Sequence, residues 1–306
     1  MRIRNFPAGK LLLPALTLAF LVLASAPAAL AQAGRTVFVE GNCNDITPAV
    51  PVTAPPQGSR GNPRTAAGSC GDYDGDGTIG TAEDGDGDNV YGTINGALTG
   101  LGGANGRVLI VKSGTYSEQI AGSLTNGHVQ IEAAEGVEAN IDAVQPGDPN
   151  VNNTVTREQG IGLLLSGQPG TSFTLRNLTV RYWLIGMRVS GSVRLVVQKC
   201  RFDKNLNYGI EMLTSSRITM NDSQITHTGR RLGTVNPAPA ADTAGIRFAD
   251  TTGGFINNTV IADSVGAGVR NNSTLNVVLF QIVLADNVGG NIVMAPGNVE
   301  CRDHTC

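Results

Sequence analysis

The sequence predicts an all-β fold, a solenoid of stacked coils of about 23 residues each, opened by one short helix. Three observations predict it. Of 306 residues 40 are glycine, while aromatic types make up only 5% and charged types 15%; Gly at roughly twice average usage is too much for a helix bundle and far too little for collagen. From residue 160 onward, a Gly followed by an extended apolar segment recurs at Gly160, Gly186, Gly209, Gly245, Gly268 and Gly290, at intervals of 26, 23, 36, 23 and 22. A second six-residue segment keeps the same register, running from Leu175 to Val180, Val197 to Phe202, Met220 to Ile225, Ile256 to Ile261 and Leu279 to Leu284.

Taken in chain order, residues 1–33 read as a secretory signal peptide. Arg2, Arg4 and Lys10 form a basic start, Leu11 to Leu23 is apolar, and Ala31-Gln32-Ala33 is a small-x-small cleavage site. The protein is therefore expected to be exported, periplasmic or extracellular, with no membrane span in the mature chain. Loss of three basic residues moves the net charge from −3 to −6. All of that excess acid lies between residues 34 and 106, so the basic composition of a nucleic-acid binder is absent.

Residues 34–92 combine an N-terminal strand with an acidic, Pro/Gly-rich insertion bracketed by Cys43 and Cys70. Export permits disulfides, and a Cys43–Cys70 bridge would staple this irregular stretch. Within it, Asp72, Asp74, Asp76, Thr78 (through its carbonyl) and Glu83 stand at positions 1, 3, 5, 7 and 12 of a loop, with Gly77 at position 6. That spacing wraps oxygens around one hard cation, and Ca2+ in a structural role is the expected cofactor. The upstream flank, Ala67 to Gly71, is a poor helix, so the loop is similar to isolated dockerin-type calcium loops rather than to a full EF-hand.

Residues 93–297 hold the helix and the coils. Thr93 is the expected N-cap, and Ile94, Ala97, Leu98 and Leu101 make one apolar stripe. The aligned six-residue segments give small or apolar columns at the first, fourth and sixth positions. The fourth reads Leu178, Cys200, Ser223, Thr259, Ile282, which makes Cys200 a buried structural thiol. A coil this small cannot bury its own apolar face and must stack on its neighbours. In residues 298–306, a Cys301–Cys306 bridge would close a terminal loop.

These aligned coils resemble the right-handed parallel β-helix repeat proteins of the pectate-lyase-like superfold, over most of residues 107–297. The resemblance implies that the helix caps the first coil. It implies no single activity, since the superfold carries many. Neither the Arg-x-Pro-x-x-Arg segment of pectate lyases nor the paired-Asp signature of polygalacturonases is present.

Outward positions of successive coils stack about 4.8 Å apart, so candidate sites read as columns. Two residues after the anchor glycines stand Gly162, Arg188, Glu211, Arg247 and Arg270, a charged ladder that would hold an acidic polysaccharide or pair with itself. After the second strand stand Tyr182, Lys204, His227, Asp263 and Asp286, beside Trp183 and the insertion carrying Arg230 and Arg231. There Lys204 or His227 would move a proton, the stacked carboxylates would approach the spacing used by retaining glycosidases, and Tyr182, Trp183, Arg230 and Arg231 would contact sugar. Two functions follow. One is a lyase, hydrolase or binding module for acidic polysaccharide; the other is a non-catalytic, calcium-stabilised surface or matrix protein. The sequence leaves the oligomeric state open.

Overall fold

The apolar columns turn inward, and the coils stack on one another through backbone hydrogen bonds. The computed structural model describes residues 34–39, 50–51, 78–79, 90–103, 105–143, 160–229, 242–294 and 298–302. Among these, three parallel sheets of ten, seven and seven strands run through the stack, and neighbouring strands come from successive coils. We call them the long sheet (strands such as Ser172–Arg176 and Arg194–Gln198), the corner sheet (Leu178–Arg181, Arg201–Asp203, Gln224–Thr226) and the ladder sheet (Ile185–Gly191, Tyr208–Met212, Ala244–Phe248, Ala267–Asn271). A two-residue antiparallel pair joins Val50–Pro51 to Thr78–Ile79.

Register explains the core. Leu175, Val197, Met220, Ile256 and Leu279 lie side by side in the long sheet, and all are fully buried. Val180, Phe202, Ile225, Ile261 and Leu284 lie side by side in the corner sheet, the first four fully buried. Each such side chain contributes about 1.5–3 kcal/mol by leaving water. Cys200 sits in this interior, where burial pushes its thiol up to about 12. A thiol so seldom ionised is chemically inert.

Three details of the expected register are corrected. Gly186 stacks on Gly162 and not on Gly160, because Ile185 pairs with Ile161 and Met187 with Leu163. At the other end Val269 pairs with Ile292, so Asn291 rather than Gly290 continues the column. The segment from Leu175 to Val180 is two strands, Ser172–Arg176 and Leu178–Arg181, meeting at Asn177.

The column glycines are explained by close approach. A Cβ on Gly209 would stand 2.7 Å from the Gly245 carbonyl oxygen and 2.5 Å from Ile225 Cγ2, and one on Gly186 would stand 2.6 Å from the Gly209 oxygen. No side chain fits there.

Both edges of the corner sheet are left-handed single-residue corners. One comprises Asn177, Lys199, Asp222, Asn258 and Gln281; the other comprises Tyr182, Lys204, His227, Asp263 and Asp286, all at φ between 44° and 67°. A non-glycine residue there costs about 1–2 kcal/mol. The coil-to-coil ladder holds it in place: the amides of Lys204, His227 and Asp263 donate to the carbonyls of Thr226, Ala262 and Ala285 at 3.0, 3.2 and 3.1 Å. The consequence for function is directional, since each corner throws its side chain outward.

The helix runs Ile94–Gly100, with Thr93 Oγ1 accepting from the Gly96 amide at 3.0 Å. Glu118 adds a second cap from the first coil, accepting from the amides of Ile94 and Asn95 at 2.7 and 3.0 Å. Ile94 and Ala97 are buried. No described helix is long and apolar enough to cross a membrane.

Candidate functional site

Three outward arrangements carry the charged chemistry. On the ladder sheet, Arg188, Glu211, Arg247 and Arg270 are in register as expected, but their neighbour in the preceding coil is Leu164, not Gly162. Glu211 is the centre of this group. Its side chain is only 3% exposed and accepts from Arg188 Nε and Arg247 Nη1, each at 2.6 Å. Arg247 also lies over the Tyr208 ring at 5.3 Å, and Arg270 stands 3.6 Å from Asp242. A carboxylate held on both sides by guanidinium groups is an acceptor already satisfied. The ladder therefore pairs with itself.

The second arrangement is the corner of Tyr182, Lys204 and His227. His227 Nδ1 lies 2.8 Å from Asp203 Oδ1, which also accepts from Thr226 Oγ1 at 2.7 Å, while Asp203 Oδ2 accepts from Arg201 at 3.2 Å. The Asp203 side chain is 4% exposed and pinned by all three. A carboxylate only accepts, so Nδ1 donates to Asp203 and Nε2 is the nitrogen left to face the corner. Asp263 Oδ2 stands 3.8 Å from Nε2, placed to stabilise an imidazolium. One coil earlier, Arg181 makes a two-pronged contact with Asp142 at 2.9 and 2.5 Å, and that hydrogen bonding raises the Arg181 pKa above its ordinary value. The Tyr182 ring lies between two cations, 5.4 Å from Arg181 and 5.9 Å from the Lys204 ammonium.

Trp183 does not belong to this surface. It is fully buried, and its Nε1 donates to the Ile141 carbonyl at 3.0 Å, so it cannot stack on a sugar. Arg230 and Arg231 lie outside the described residues, as do Asp72, Asp74, Asp76, Glu83, Cys43, Cys70 and Cys306. Thr78 is described only as backbone in its two-residue strand, and Cys301 is exposed on the strand Val299–Arg302.

The third arrangement lies at the opposite edge of the corner sheet, a groove of about 620 Å³ lined in part by Arg107, Glu132, Arg176, Asn177, Gln198 and Lys199. Glu132 is buried and accepts from Arg107 and Gln130.

With this geometry in place, a family model described as a right handed beta helix region matches residues 146–303, just over half of the chain. The chain belongs to the right-handed β-helix family. No curated protein matches the sequence. Among solved structures, a pectin methylesterase from Aspergillus niger is similar at 14% identity, covering 69% of this chain and 82% of that one, with a TM-score of 0.32. A superposition of that quality transfers nothing to the chain.

On this β-helix the residues missing from the sequence reading are Asp203, Arg181, Asp142 and Glu132. A signal for the first two existed. The position after each six-residue segment reads Arg181, Asp203, Thr226, Ala262, Ala285, one column beyond the alignment and in register in the corner sheet. Their outward direction and their burial beneath neighbouring cations depend on the corners at either side.

Proposed function

We propose that this β-helix is an exported protein that binds acidic polysaccharide across the Tyr182, Lys204 and His227 corner and cleaves it by a lyase-type elimination. The observation that supports this is the Asp203–His227 pair, an imidazole oriented by a buried carboxylate with its second nitrogen turned outward. His227 Nε2 takes the proton from the carbon beside the uronate carboxylate, the carbon–oxygen bond to the leaving sugar breaks as the carbon–carbon double bond forms, and the departing oxygen takes a proton from water. Lys204, with no ion pair among the described residues, meets the uronate charge beside Tyr182. Elimination is preferred to hydrolysis because Asp142 and Asp203 are engaged by cations and Asp263 faces the same imidazole that acts as the base, at 3.8 Å.

The test is to incubate the mature protein with uronate-rich and neutral polysaccharides, following unsaturated-product absorbance and reducing ends. Turnover should be confined to uronate polymers and fall at least about 100-fold in His227→Asn, a residue that tolerates the left-handed corner. Binding without turnover on any substrate would remove the catalytic part.

A second reading is supported by the ladder pairing with itself, namely a non-catalytic surface or matrix protein. Calcium at Asp72, Asp74, Asp76, Thr78 and Glu83, with Cys43–Cys70 and Cys301–Cys306 bridges, belongs to either reading as a structural device. Adding calcium should raise the melting temperature of the wild type and leave an Asp72→Ala/Glu83→Ala variant unmoved. A wild-type melting curve insensitive to chelator would contradict the metal site.

A further inference from the structure

We infer that the groove at the far edge of the corner sheet is an outer subsite for the same acidic polysaccharide, joined to the His227 corner by a strip of cations on one coil. The inference rests on the polysaccharide reading above and adds a second point of attachment and a direction for the chain. The groove, at about 620 Å³, is of the size that holds small-molecule ligands. Its polar walls are planar: guanidinium groups of Arg107 and Arg176 and amides of Asn177 and Gln198, groups that hydrogen-bond sugar hydroxyls and carboxylates in pairs.

The charge is arranged in depth. Glu132 lies beneath, engaged by Arg107 and 3.9 Å from Arg176 Nη1, while the Arg176 side chain is 43% exposed. Arg176 Nε has no hydrogen-bond partner among the described residues. Lys199 occupies a left-handed corner at φ 52°, lines the groove and has no ion pair among the described residues. Two further acids line the groove, Asp222, which accepts from Asn258 at 2.6 Å, and Glu135, which is exposed.

From Lys199 the same coil presents Arg201, half exposed and tethered to Asp203, and then Lys204 at the opposite corner. Lys199 to Lys204 is five residues, at most about 17 Å of extended strand. A polymer lying along this line crosses the corner sheet parallel to its strands. It meets a cation at each edge and one between, and reaches His227 in the next coil.

Affinity should therefore depend on chain length. We would titrate a uronate dimer and a uronate hexamer into the wild type and into Arg176→Gln/Lys199→Asn, after confirming that the variant melts with the wild type. Lys199→Asn alone serves if it does not, since Asn is favoured at a left-handed corner. The variant should lose about tenfold or more of hexamer affinity while dimer affinity stays unchanged. An unaltered hexamer affinity, or equal losses for dimer and hexamer, would overturn the subsite while leaving the His227 corner in place. A wild type that binds neither oligomer would instead remove the polysaccharide reading, and the subsite with it.

Discussion

Replacing Trp183 by alanine is expected to cost the fold about 3–5 kcal/mol and to leave no specific defect in sugar binding beyond that loss. The side chain is fully buried, so truncation removes its transfer free energy and leaves a cavity that the rigid ladders above and below cannot close. The indole also donates to the Ile141 carbonyl, a hydrogen bond that truncation removes. Trp183→Phe separates the two effects: it restores most of the volume and should cost about 0.5–1.5 kcal/mol for the lost hydrogen bond alone. Urea denaturation measures both. Unchanged stability with lost polysaccharide affinity would mean that Trp183 is a sugar platform after all.

Glu211→Ala should be the second large effect, a loss of about 2–3 kcal/mol with no loss of turnover. Removing one partner of a fully buried ion pair costs about 3–5 kcal/mol. Here Arg188 and Arg247 are 33% and 27% exposed and can turn toward water, which lowers the figure. The same substitution adds uncompensated positive charge to the ladder sheet, so binding of any polyanion should strengthen at low salt and lose that gain at high salt. A double-mutant cycle with Arg188→Ala should return a coupling of about 1 kcal/mol or more. Abolished turnover at unchanged stability would move the chemistry from the corner to the ladder.

The two cases show how much of the molecule was legible in the sequence. Leu178, Cys200, Ser223, Thr259 and Ile282 could be aligned as an inward column because each coil repeats the same spacing, and all five are buried. Trp183 was misplaced for a physical reason. It heads a column continued by Asn205, Thr228, Ser264 and Asn287, polar residues that look like solvated turns. The two asparagines are buried because the turn's own backbone needs partners inside: Asn205 accepts from the Trp183 amide at 3.2 Å and donates to the Val180 carbonyl at 3.2 Å, and Asn287 bonds Ser264 and Ile261 in the same way. The register slips at Gly160 and Gly290 arose because a glycine lies close to the true column at each end, and only strand pairing distinguishes them. The candidate site was legible as residue types, with Lys204, His227 and Asp263 in one column. The partner that gives His227 its orientation, Asp203, lay in the column just before it.

The most direct test of the central claim, that the corner receives the polysaccharide, uses the scarcity of histidine. The chain has three, His128, His227 and His304. Imidazole resonances can therefore be assigned by single His→Asn replacements and followed by NMR while a uronate oligomer is added. The account predicts that His227 shifts in a saturable way and that His128, half-buried on the long sheet with its pKa lowered by burial, does not. An oligomer that binds while the His227 resonances stay unmoved would contradict it.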